Sequence, residues 1–61
     1  MLESYSDVLT VQDVMTILHI GRSKAYELLR TNEIPSMKIG KKYIVPKHLL
    51  IDFLSNNKVN N

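Results

Sequence analysis

Sixty-one residues allow one small domain, which buries only about 60% of the surface its unfolded chain would expose. There is no cysteine for a disulfide or thiolate metal site, and His19 and His48 lie too far apart for a local metal pair, so no metal and no cofactor is expected; the lack of thiols fits the cytoplasm. Net charge is +2, no apolar run nears the roughly 20 residues that span a bilayer, and the opening MLESYSDV lacks the basic and apolar regions of a signal peptide, so no membrane contact is expected.

Residues 1–8 show no period and read as a flexible N-terminal arm, with Tyr5 and Val8 as packing points. A helix start follows. Thr10 is placed to cap, Asp13 stands three residues on as the return half of a capping box, and Leu9 can staple onto Val14. The first helix then runs to about Leu18, with Val11, Val14, Met15, Ile17 and Leu18 on its apolar face. Only His19-Ile20-Gly21 separates it from a second helix. Two helices joined by so short a turn form a helix-turn-helix, with Ile20 plugging the angle between them.

Within the second helix, GRSKAYELLR, Ala25, Leu28 and Leu29 recur at the spacing of a buried stripe. Ser23, Tyr26, Glu27 and Arg30 occupy the opposite side, Lys24 flanks them, and Arg22 stands in the first turn. The helix closes at Thr31-Asn32, because Asn tolerates the left-handed conformation and Pro35 forbids continuation.

MKIGKKYIV then reads as a β-hairpin, two alternating runs around a glycine. Placing Ile39 and Tyr43 on one side requires a three-residue loop, Gly40-Lys41-Lys42. Met37, Ile39, Tyr43 and Val45 then point inward, and Lys38, Lys42 and Ile44 outward. Pro46 suits the opening of a third helix, on which Leu49, Leu50, Phe53 and Leu54 share a face. The expected division is arm 1–8, domain 9–55 and polar tail 56–61, around a core of Val14, Leu18, Ile20, Leu28, Leu29, Ile39, Tyr43 and Phe53.

Charge is unevenly spread. Before Arg22 the charged residues are all acidic (Glu3, Asp7, Asp13), whereas residues 22–47 hold seven cations against Glu27 and Glu33, a net +5. A basic middle behind an acidic start suits a small domain that meets a polyanion on one side.

The ordered set LTVQDVMTILHIGRSKAYELLR and EIPSMKIGKKYIVPKHLLIDFL resembles the excisionase family of winged helix-turn-helix domains, relatives of the mercury-resistance (MerR) type of regulators. The resemblance spans residues 9–54 and rests on the Leu-Thr-Val start, Arg22-Ser23, Tyr26, Glu33-Ile34-Pro35, Lys38-Ile39-Gly40 and Pro46. It implies a mainly α fold with a small β-hairpin wing and a C-terminal helix. It also implies that the second helix reads the major groove through Arg22, Ser23, Lys24, Tyr26 and Glu27, while Gly40, Lys41 and Lys42 touch the adjacent backbone or minor groove. The chain departs from the family where Met15 replaces a small residue, His19 a glycine and Gly21 a serine. His19 can still take a left-handed turn, and Gly21 is a weaker cap than serine by a few tenths of a kcal/mol.

By chemistry, Lys24, Arg30, Lys41 and Lys42 suit phosphates, and Arg22 and Ser23, near the helix start, suit base edges. Tyr26 suits a thymine methyl or a phosphate. Glu27 suits a cytosine amino group or, better, a partner on its own helix, Lys24 or Arg30. Scattered carboxylates, Ser and His without partners and the lack of a phosphate-cradling loop argue against an enzyme. The expected function is sequence-specific binding of double-stranded DNA as an architectural factor that helps an integrase (a recombinase) excise a mobile element, with cooperative self-association on DNA. The alternatives are a small transcriptional regulator of the same fold, or a protein-interaction module using Ile44 or Ile51.

Overall fold

The computed structural model describes residues 2–58. In chain order these form strand β1 (Val8–Leu9), helix α1 (Val11–Leu18), helix α2 (Arg22–Arg30), strands β2 (Met37–Ile39) and β3 (Lys42–Pro46), and helix α3 (Lys47–Lys58). This is a mainly helical chain with a small antiparallel wing, the expected winged helix-turn-helix.

Local chemistry sets the helix ends. The Thr10 hydroxyl accepts from the Asp13 N–H at 3.2 Å, and the Asp13 carboxylate accepts from the Thr10 N–H at 3.0 Å, completing the capping box. His19 closes α1 in the left-handed region at φ 57° and ψ 47°. After α2, Asn32 takes φ 63°. Its N–H donates to the Leu29 carbonyl at 3.1 Å, while the Glu33 N–H reaches back to Leu28 at 3.0 Å. Those two bonds make a Schellman closure, which turns the chain so that Ile34 drops fully into the core.

The sheet runs β1-β3-β2, antiparallel throughout. Its register corrects the expected wing. Lys38 pairs with Tyr43 and Ile39 with Lys42, so the loop is two residues, Gly40-Lys41, with Gly40 at φ 63°. A glycine at positive φ in the first central position suits a two-residue hairpin whose twist matches its strands. A slip of one residue turns a strand over, and β2 is the strand that turns. Met37 and Ile39, expected inside, are 54% and 62% exposed. Lys38, expected outside, shares a face with Tyr43. On β3 the expectation holds for Val45, which is fully buried, and for the half-buried Tyr43.

Leu9, Val14, Leu28, Leu29, Ile34, Val45 and Leu50 form the core, with Leu18, Ile20, Tyr43 and Phe53 partly buried against it. Ile39 is the one expected core residue that lies outside. The arm differs too. Val8 and Leu9 pair with Pro46 and Val45, and Leu2 and Tyr5 pack on the core. The Lys47 ammonium donates to the carbonyls of Tyr5 at 3.0 Å and Leu2 at 3.3 Å, with Asp7 at 3.8 Å. Pro46 ends β3 and α3 starts one residue later. The helix extends to Lys58, into the stretch read as polar tail; residues 59–61 of that tail lie outside the described residues.

Candidate nucleic-acid interface

The start of α2 breaks the rules that stabilise an isolated helix. Gly21 stands at its N-cap in extended geometry, φ −78° and ψ 174°, and offers no side-chain hydrogen bond. No acid lies in the first turn, where Arg22 and Lys24 face the positive end of the helix dipole. Each feature costs stability, yet all three add to one positive potential around unsatisfied N–H groups, which is what an anion binds. A local conflict of this kind is expected where function outranks stability.

Past that turn, Ser23, Glu27 and Arg30 are exposed along one side of α2, with Tyr26 half-buried between them. Lys24 and Glu27 approach at 3.8 Å. Both are about half exposed, so the pair contributes little energy, but it occupies Glu27 on its own helix. Arg22 and Arg30 have no ion-pair partner among the described residues.

Two aromatic rings tie this helix to the wing. Tyr26 meets Tyr43 edge to face, with centroids 5.9 Å apart and planes at 66°. The Lys38 ammonium lies 5.3 Å from the centre of the Tyr43 ring. The series Tyr26, Tyr43, Lys38 therefore braces α2 against the hairpin that carries Gly40, Lys41 and Lys42, all three exposed. Tyr26, Lys41 and Lys42 line one groove, together with Thr10 and Gln12 from the start of α1.

Residues 8–58 match the model of the helix-turn-helix domain family. A curated relative, the "Excisionase" of Streptomyces ambofaciens, is 42% identical over 50 residues, which cover 82% of this chain and 81% of the relative. The chain is an excisionase-family helix-turn-helix domain. No solved structure matches it significantly.

In a helix-turn-helix domain the second helix enters the major groove and the first crosses the backbone. Here α2 is the second helix of such a pair, and Gln12, at the start of α1, borders the same groove as the wing lysines. Sequence reasoning overlooked Gln12, because a polar residue in a first turn gives no signal of the neighbours it acquires. Two lysines of the basic middle are engaged within the fold. Lys38 is drawn onto Tyr43, and Lys47, counted with the basic middle, is 20% exposed and engaged by the arm. A second depression, between the segment after α2 and α3, is lined by Glu33 and Asp52 and would repel a phosphate backbone. Of these two depressions among the described residues, the one bordered by lysines adjoins α2 and the wing tip. Among the described residues there is no group of three metal-ligating side chains and no helix long and apolar enough to cross a membrane.

Proposed function

We propose that this chain binds double-stranded DNA sequence-specifically in the cytoplasm and serves, without catalysis of its own, as an architectural accessory factor in integrase-driven excision of a mobile element. The observation that carries this reading is the uncapped, cationic start of α2, braced through Tyr26 and Tyr43 to a wing tipped by lysines. The similarity to a curated excisionase supports the excision role.

In this reading Arg22 and Ser23 meet base edges, where side chains near the start of a recognition helix reach deepest. Lys24, Arg30, Lys41 and Lys42 meet phosphates and fix register. Tyr26 contacts a thymine methyl or a phosphate from its braced position, Glu27 serves the helix surface, and Gly40 lets the wing turn close to the duplex. One module of this size buries only about 600–1,000 Å² of protein surface on DNA. Occupancy then depends on neighbours, either further copies on adjacent sites or the integrase, which supply effective concentration.

Footprinting on the parent element, paired with an integrase-driven recombination assay, tests the reading. Protection in tandem beside one attachment end, with excision but not integration requiring the protein, is the expected result. Protection confined to a promoter, with excision unaffected by removing the protein, would instead establish the transcriptional role.

A further inference from the structure

The outward turn of β2 leaves two apolar side chains without a role in the fold. Ile39 is 62% exposed and Met37 54%, on the edge strand of the sheet. The register sets Ile39 directly opposite Lys42. Side chains opposite one another in an antiparallel pair stand about 4.5–5.5 Å apart at Cβ. Ile39 therefore lies on the same face of the wing as Lys42, beside the stem of that side chain. Only Gly40 and Lys41 lie beyond it, and Gly40 has open space where a Cβ would stand, so nothing at the tip screens the isoleucine.

Charge decides what covers this patch. Lys42 shares its face and Lys41 stands at the tip beyond it, and residues 34–46 contain no carboxylate. An apolar protein surface docking here would have to desolvate ammonium groups without a counter-charge, which is costly. A nucleic acid offers phosphates to the lysines and apolar sugar and base surfaces to the isoleucine. We propose that Ile39, flanked by Met37, is an apolar wedge that enters the minor groove beneath the wing tip, partly unstacks one base step and bends the duplex. Isoleucine and methionine are among the side chains that act in this way on other proteins. This inference rests on the DNA-binding reading above and adds to it a deforming contact, distinct from the anchoring lysines. A wedge of this kind favours an easily unstacked pyrimidine–purine step below the wing over a stiff A-tract.

The test uses the full chain and a duplex of about 30 bp recovered by the wild-type protein from a random-sequence pool. End-to-end energy transfer reads the bend, and 2-aminopurine placed at successive steps reads unstacking. Wild type is expected to bend the duplex within the range of about 20–90° that wedge insertion produces, with 2-aminopurine brightening at one step. Ile39→Ala should still bind with an unchanged salt slope, since Lys41 and Lys42 remain, while the bend falls below half the wild-type angle and the brightening is lost. Ile39→Phe, which restores a wedge, should keep both signals. Because Ile39 is exposed, both variants should unfold at nearly the wild-type temperature.

The inference is overturned if Ile39→Ala bends the duplex as wild type does. It is equally overturned if that variant abolishes self-association of the free protein while leaving the bend intact, since the patch then serves a second copy. Wild-type binding without a bend would remove the wedge and leave the DNA-binding reading standing. No binding to any duplex would remove both.

Discussion

Replacing Tyr43 by leucine separates the wing from α2 without opening a large hole, because leucine keeps much of the apolar bulk. What is lost is the edge-to-face contact with Tyr26 at 5.9 Å and the Lys38 ammonium over the ring at 5.3 Å. An aromatic pair contributes about 0.5–1.5 kcal/mol beyond its buried area, and an exposed cation–π contact about 0.5–1 kcal/mol. Together the two contacts amount to about 1–2.5 kcal/mol, a large share of the stability of a domain this small. At about 4–8 °C per kcal/mol for a short domain, Tm should fall by roughly 4–20 °C. Thermal and urea unfolding of Tyr43→Leu, Tyr26→Leu and the double variant, all without DNA, isolate the ring contact. The coupling between the two tyrosines should be about 0.5–1.5 kcal/mol. If the single effects add to within about 0.3 kcal/mol, the rings do not brace the helix against the wing and the geometry assigned to the interface is wrong.

Gly21→Ser supplies the missing N-cap oxygen at an extended residue with open space around it, so unfolding experiments should show a gain of a few tenths of a kcal/mol; a loss would mean that the start of α2 is shaped by something other than capping. Thr10→Ala removes the side-chain half of the capping box and should cost about 1 kcal/mol in urea unfolding, whereas no measurable cost would refute the cap. Lys47→Met releases the arm from the bonds to Leu2 and Tyr5, so the amides of Val8 and Leu9 should exchange faster by NMR while the salt dependence of DNA binding stays unchanged. A shallower salt slope for this variant would instead place Lys47 on the binding face.

What could be read from the sequence divides along the length scale of the forces involved. The capping box, the left-handed His19 and the Asn32 closure involve residues at most five apart, so each carries its signal within a single turn of chain. The face of α2 follows from its helical period in the same way. The wing was legible as a hairpin but not in its register. GKK accommodates a two- or a three-residue loop, and the choice between them inverts every side chain of β2. That inversion is why Ile39 left the expected core and Lys38 joined Tyr43. Ile34 was missed as core because it stands alone between Glu33 and Pro35, without a period to mark it. The engagement of Lys47 was hidden for a different reason. Its partners, Leu2 and Tyr5, lie more than forty residues away in the chain, and nothing local distinguishes an anchoring lysine from one that faces DNA.

The dependence of duplex affinity on salt tests the central claim most directly. With Lys24, Arg30, Lys41 and Lys42 on phosphates, log K against log salt concentration should fall with a slope of about −3 to −4, since each phosphate neutralised contributes about −0.9. Lys41→Ala and Lys42→Ala should each make that slope shallower by roughly one contact. A slope near zero, or no binding to any duplex at low salt, would contradict the account.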